Sequence, residues 1–174
     1  MSEKQIDNYI SEVLNGEALE NALAFIAYLR ASGVVFGLHD VGWWEGKLYW
    51  WLKYKDETVF YVLVYSPASA VDSTEPWVIW SDDSGSNWFE NSHLDENIRE
   101  TAWKNVDVCG NETEIACGGC PSIGGQPKTI FGKVFRNTCG TTFCFKNPNS
   151  TELECLKQLL EIRKNDILKN ILNP

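Results

Sequence analysis

Lys47-Leu48-Tyr49-Trp50-Trp51-Leu52-Lys53-Tyr54-Lys55 alternates with period two. Leu48, Trp50, Leu52 and Tyr54 share one face, and Tyr49, Trp51 and Lys53 share the other, as side chains do along a strand. Asp56-Glu57 reads as a turn, and Thr58 to Tyr65 as a second strand rich in β-branched and aromatic residues. Beyond a polar connection from Pro67 to Pro76, Trp77-Val78-Ile79-Trp80 gives a third strand, and Ser81 to Ser86 a turn. Three neighbouring strands with short connections make an antiparallel meander. Val34 to Leu38 can add a further strand.

The flanks of this meander are helical. Ser2 with Gln5 forms a capping-box pattern, and Ile6, Tyr9, Ile10, Val13 and Leu14 follow at helical spacing. Asn15-Gly16 breaks that pattern. A second helix carries Leu19, Leu23, Ile26 and Tyr28-Leu29 and stops at Gly33. On the other side, Asn91 or Ser92 is placed to cap a helix with Leu94, Ile98 and Ala102 on its buried side. Lys128 to Phe135 reads as a strand. A last helix runs from Ser150 to about Leu172, with Pro148 ahead of it and Leu153, Leu156, Leu160, Ile167 and Leu168 as its apolar stripe.

The expected fold class is α+β: an antiparallel β-meander of three to five strands packed against N-terminal, middle and C-terminal helices, with a cysteine-rich loop. One domain covers 1–174, divided into a helical N-terminus (1–33), the aromatic meander (34–90), a helix (91–107), the cysteine-rich loop and strand (108–146) and the C-terminal helix (150–172). No repeat, low-complexity run or linker interrupts it.

Composition bounds the function. Of 174 residues, 44% are hydrophobic and 22% charged, a globular balance. The 24 acidic residues exceed the 15 basic ones, for a net charge of −9. A surface of that sign repels phosphate backbones, so no nucleic-acid partner is expected. No segment approaches the roughly 20 apolar residues that cross a bilayer, so no membrane partner is expected either. Met1 to Gln5 lacks the basic region and apolar stretch of a signal peptide, which leads to the expectation of a cytoplasmic protein.

Cys109, Cys117, Cys120, Cys139 and Cys144 fall close together, while Cys155 stands apart on the last helix. In a reducing compartment such cysteines are metal-bound or free more often than paired. Cys117-Gly118-Gly119-Cys120 can wrap two thiolates around one ion, and tetrahedral zinc needs four such ligands. Cys109, Cys117, Cys120 and Cys139 are the expected set, with Cys144 as an alternative, and zinc is the expected cofactor. Buried free thiols are the competing reading, best suited to Cys155 and to Cys144 between Phe143 and Phe145. Thiol-redox or metal-dependent chemistry at Cys117 and Cys120 is a further alternative, although Pro121-Ser122-Ile123-Gly124-Gly125 after the pair reads as loop where a helix would be needed.

Eight tryptophans, at 43, 44, 50, 51, 77, 80, 88 and 103, are the second unusual feature. Trp50 and Trp51 must face opposite sides of a sheet. Most of these rings are core by default, but Trp43, Trp44, Trp51 and Trp80, with Glu45 or Asp82 nearby, can line a cleft for a small aromatic or cationic molecule. His39 and His93 lie near no serine or cysteine motif, so an acyl-transfer triad has no support; either could serve as a fourth zinc ligand. Asp82, Asp83 and Asn87 around Gly85 lack the closing glutamate of a calcium loop.

Thr129-Ile130-Phe131-Gly132-Lys133-Val134-Phe135, with Asn137, Cys139, Asn147-Pro148 and the Leu- and Lys-rich helix behind them, resembles the C-terminal half of an uncharacterised bacterial domain family. The helix, meander and helix ahead of it are loosely similar to GyrI-like effector-binding domains. That resemblance implies an aromatic pocket with a buried acid for lipophilic or cationic small molecules. The second strand–helix repeat of that family is replaced here by the cysteine loop, so no binding residue is carried over. The expected function is a non-enzymatic binding module with a structural zinc site and an aromatic small-molecule pocket. An acidic interaction or inhibitor domain that docks on a basic protein is the other alternative.

Overall fold

A computed structural model of the chain describes residues 6–39, 48–65, 75–82, 87–90, 92–109 and 125–172. Among them are four helices and seven strands, in the order α1 (Ile6–Val13), α2 (Gly16–Ala31), β1 (Val35–His39), β2 (Leu48–Tyr54), β3 (Glu57–Val64), β4 (Trp77–Ser81), α3 (Glu96–Lys104), β5 (Val106–Val108), β6 (Gln126–Ile130), β7 (Lys133–Lys146) and α4 (Ser150–Leu172). The strands form one antiparallel sheet ordered β1-β2-β3-β4-β7-β5, and β6 also pairs with β7. The α+β class therefore holds, with seven strands where three to five were expected, because β5, β6 and β7 extend the sheet beyond the meander.

Local chemistry sets the ends of these elements. Gly33, at φ 81°, closes α2: its N–H donates to Arg30 O at 3.0 Å, and the Val34 N–H reaches Leu29 O at 3.0 Å. This is the paired cap that satisfies carbonyls left over at a helix end, and it favours glycine. At the start of α4, Asn149 Oδ1 accepts from the Glu152 N–H at 3.0 Å, and Glu152 Oε2 accepts from the Asn149 N–H at 2.9 Å. Two donors without helical partners are thus satisfied reciprocally. The expected Ser2–Gln5 cap lies outside the described residues.

Helices cover one face of the sheet. Ile6 and Ile10 of α1, Phe25, Ile26 and Leu29 of α2, Ala102 of α3 and Leu153, Leu156 and Leu160 of α4 pack with Trp50, Leu52, Phe60, Val62, Val64, Trp77, Ile79, Phe143 and Phe145 from the strands. Within this core a chain of rings runs through Trp88, Phe89, Phe131, Phe143 and Phe145, with neighbouring centroids 5.4–6.5 Å apart. Each such ring contributes roughly 1.5–3 kcal/mol by leaving water.

Three boundaries differ from the sequence expectations. The β2–β3 turn is Lys55-Asp56, not Asp56-Glu57; both residues have positive φ, 52° and 67°, the backbone that fits a two-residue hairpin. α3 begins after Asp95, so Leu94 is buried ahead of the helix instead of within it. The expected strand from Lys128 to Phe135 is a hairpin folded at Phe131-Gly132, where φ is 46° and 82°. Its second arm, β7, continues eleven residues past the expected end at Phe135, to Lys146, and carries Cys139 and Cys144 in a strand. Thr, Phe and Cys residues suit a half-buried pleat better than a loop. Of the expected loop, residues 110–124, Cys117 and Cys120 among them, lie outside the described residues.

Candidate functional site

The face of the sheet opposite the helical core carries a second cluster, built from strand residues and from Tyr65 just after β3. Tyr49, Leu63 and Val78 are buried at its centre, with Trp51, Tyr65, Trp80 and Cys144 packed against them. It exists because β2, β3, β4 and β7 place apolar or aromatic side chains on both faces, where a one-sided sheet would turn polar residues outward. Strand register lines the side chains up: Gly37 pairs with Trp51, Trp51 with Tyr61, Tyr61 with Trp80, and Trp80 with Cys144. One aromatic row thus crosses β2, β3 and β4, with Gly37 at its β1 end and Cys144 at its β7 end.

The row has polar groups at defined points. Trp51 meets Tyr61 edge-on at 6.2 Å, and Lys53 Nζ stands 5.5 Å over the Trp51 ring. The Tyr61 hydroxyl donates to Asp82 Oδ2 at 2.7 Å; burial first, and then this carboxylate, push the phenol well above its usual range. Burial likewise raises the Tyr49 phenol. Burial pushes the Cys144 thiol up to about 12, with the Asp107 carboxylate adding to it, so Cys144 stays a neutral packing group.

Beyond Cys144 the sheet is distorted in a specific way. Val106 pairs with Phe143 but Val108 pairs with Thr138, so β7 carries extra residues between those points. Lys128 Nζ holds this bulge, donating to Cys139 O at 3.1 Å, to Gly140 O at 3.4 Å and to Thr142 Oγ1. The Ser81 hydroxyl donates to Thr141 O and accepts from the Phe143 N–H at 3.2 Å. Thr142 sits at φ 57°, a backbone region that a β-branched residue occupies only under constraint. The bulge turns Thr141 toward Asp107: Thr141 Oγ1 donates to Asp107 Oδ2 at 3.1 Å, and the Cys139 thiol also bonds that carboxyl. Bulges commonly re-aim side chains in this way beside binding sites.

The residues singled out in the sequence are distributed as follows. Trp51 and Trp80 share the row, with Tyr61 between them. Trp43, Trp44 and Glu45 lie outside the described residues, as do Cys117 and Cys120. Cys109, Cys139, Cys144 and Cys155 are free thiols. Cys155 is fully buried in α4, its thiol 3.6 Å from Ile98 O, as a packing residue should be. Cys109 follows β5; its N–H donates to Asn137 O at 2.9 Å, and Asn137 Nδ2 donates to Cys109 O at 2.8 Å. Gly125 lies against the same point, because a Cβ built on it would stand 2.7 Å from the Cys109 Cβ. Among the described residues no three His, Cys, Asp or Glu side chains stand together to hold a metal.

The sequence reading missed Tyr49, Tyr61, Tyr65 and Asp107. Alternation along β2 and β3 already placed the tyrosines opposite the core; only the pairing of β5 with β7 brought Asp107 to Thr141 and to the vicinity of Cys144. On the helical side His93 borders an open groove of about 540 Å³ with Asn87, Trp88, Ser92, Ile162, Asn165, Asp166 and Lys169. Its acid Asp166 is paired with Arg163 at 2.6 Å. No helix among the described residues is long and apolar enough to cross a membrane. No protein-family model, curated protein or solved structure matches the chain.

Proposed function

We propose that the chain is a binding module that takes a flat organic molecule on the Trp51–Tyr61–Trp80 row. The observation that carries this reading is the in-register aromatic ladder on the face opposite the helical core. A sheet that only needed one core would place polar side chains there. Aromatic walls with a few fixed polar groups are what small-molecule sites use. The loose sequence resemblance to GyrI-like effector-binding domains would imply a ligand of that kind.

The test is thermal unfolding and tryptophan fluorescence with neutral fused-ring compounds, acridine among them. A concentration-dependent rise in Tm that Trp80→Ala abolishes is expected. No shift with any compound, in a wild-type protein that unfolds cooperatively, would remove the reading.

A zinc ion at Cys109, Cys117, Cys120 and Cys139 completes the proposal as a staple. The support is positional. The chain leaves β5 at Cys109 and returns at Gly125 beside it, Cys117 and Cys120 lie between these points in sequence, and Cys139 is two residues from Asn137, which bonds Cys109. Four thiolates would hold the ion and link the stretch between Cys109 and Gly125 to β7. Cys144 is the weaker choice, since its thiol packs in the aromatic row. Metal analysis should find about one zinc per chain, lowered in Cys109→Ser; folded protein that takes up no zinc when the ion is supplied would exclude the staple.

A further inference from the structure

Two basic side chains meet on one indole at the corner where α3 lies against the β6–β7 hairpin. The Arg99 guanidinium stands 5.1 Å from the centre of the Trp103 ring, and Lys133 Nζ stands 5.2 Å from it. Lys133 also reaches the Phe135 ring, at 5.1 Å. The corner is fixed from both sides. Trp103 Nε1 donates to Ile130 O at 2.8 Å, and Ile130 pairs with Lys133 across the Phe131-Gly132 turn. The indole thus ties the helix to the hairpin and sets where both cations stand.

Neither cation meets an acid. Arg30, Lys146, Lys157, Arg163 and Lys164 each stand at a carboxylate, whereas Arg99 and Lys133 make no ion pair among the described residues. Asp95 and Glu96 lie one turn ahead of Arg99, where a helix brings side chains together. The guanidinium turns the other way, onto Trp103, and its Nε is shut off from water without an acceptor. Sharing one ring puts the two charges no more than about 10 Å apart, where like charges repel. An anion between them removes that repulsion and gains charge-assisted hydrogen bonds.

A guanidinium laid on a ring keeps its N–H groups in plane, and its terminal nitrogens form the fork that fits phosphate or carboxylate. A second cation beside the fork favours the doubly charged one of the two. We propose that Arg99 and Lys133 form a site for a phosphate group, free or carried by a small monoester, with the Trp103 ring beneath it. Trp103 packs with the helical core, so this site lies across the sheet from the Trp51–Tyr61–Trp80 row and does not depend on it. A net charge of −9 repels phosphate polymers, which restricts the ligand to a small molecule.

The experiment titrates inorganic phosphate and phenyl phosphate into the full chain at low salt and mildly alkaline pH, where both are dianions. Amide and indole N–H signals are followed by NMR. Saturable shifts are expected at the Trp103 indole and in residues 99–104 and 131–135, with Trp51 and Trp80 unmoved. Acetate should bind at least about tenfold more weakly, because a single charge cannot serve both cations. Arg99→Met and Lys133→Met should each weaken phosphate binding about tenfold or more. Arg99→Lys keeps the charge without the fork and should weaken it as well, so the test survives a Met variant that fails to fold. Tighter binding of phenyl phosphate would assign the site to a monoester, and tighter or equal binding of inorganic phosphate to the free ion. The site is overturned if no saturable shift appears, if the shifts lie elsewhere, if acetate binds as tightly as phosphate, or if the folded variants bind like wild type.

Discussion

Trp50 and Trp51 are neighbours in sequence and stand on opposite sides of the sheet. Trp50 meets Tyr9 of α1 edge-on at 5.3 Å inside the helical core, while Trp51 meets Tyr61 at 6.2 Å in the second cluster. The two rings therefore have different tasks. Trp50 is 2% exposed, and Trp50→Ala should cost about 3–5 kcal/mol in urea unfolding, the range for deleting a buried large aromatic. Trp51 is only half-buried, so Trp51→Ala should cost less than half as much and should lose the fused-ring probe instead. Equal destabilisation by both would mean that Trp51 is structural.

The β2–β3 turn holds Lys55 and Asp56 at φ 52° and 67°, a conformation that Asn-Gly adopts with less strain. Replacing the pair by Lys55→Asn and Asp56→Gly should raise stability by roughly 0.5–1 kcal/mol. Both residues are exposed, so no packing is lost. A lower denaturation midpoint would show that the turn makes contacts that the backbone geometry does not explain.

Lys128 ties two carbonyls and the Thr142 hydroxyl together. Lys128→Met keeps the stem but removes every donor and should cost about 1–3 kcal/mol, because acceptors in the bulge are left without a partner. Hydrogen exchange should quicken in residues 138–144 before it quickens in the β2–β3 hairpin. Uniform quickening would place Lys128 outside any local role.

Gly125 approaches Cys109 and the Asn137 carbonyl carbon so closely that a methyl group there would lie 2.7 Å from each. Gly125→Ala must push β6 away from the Cys109–Asn137 contact, at a cost of about 1–3 kcal/mol. Paired thermal melts of wild type and variant measure this. An unchanged Tm would mean that the two segments separate freely.

Asp7 accepts from both Arg30 Nη1, at 2.8 Å, and Nη2, joining α1 to α2. The Arg30 hydrogen bond holds the Asp7 carboxyl below the ordinary carboxylate range. A carboxyl depressed by folding stabilises fully above its unfolded pKa, and that stabilisation is lost as pH falls through the folded pKa. Both side chains are partly open to solvent, 29% and 40%, so the pair is worth no more than about 1 kcal/mol. Asp7→Asn should therefore be slightly less stable than wild type near neutrality and equal to it in acid. A gap that persists below the folded pKa of Asp7 would argue against the ion pair as its source.

Much of the architecture was legible because its signals are local. Gly33 ends a helix through its left-handed backbone, Pro148 stands just ahead of the helix that starts at Ser150, and alternation from Leu48 to Tyr54 marks a strand with two apolar faces. The Phe131-Gly132 hairpin was also written locally, as a residue pair ending in glycine between alternating runs, but Lys128 to Phe135 reads equally well as one strand until the pairing of Ile130 with Lys133 is known.

The sequence by itself determined the α+β class, the antiparallel meander and the opposite placement of Trp50 and Trp51, since each follows from spacing along a single strand or helix. Only the tertiary structure decided that Trp51, Tyr61, Trp80, Cys144 and Asp107 form one surface. They come from five strands, and which residue meets which is set by pairing register and by a bulge in β7. Register is a property of the assembled sheet: it depends on which faces are buried together, and no single segment carries that information.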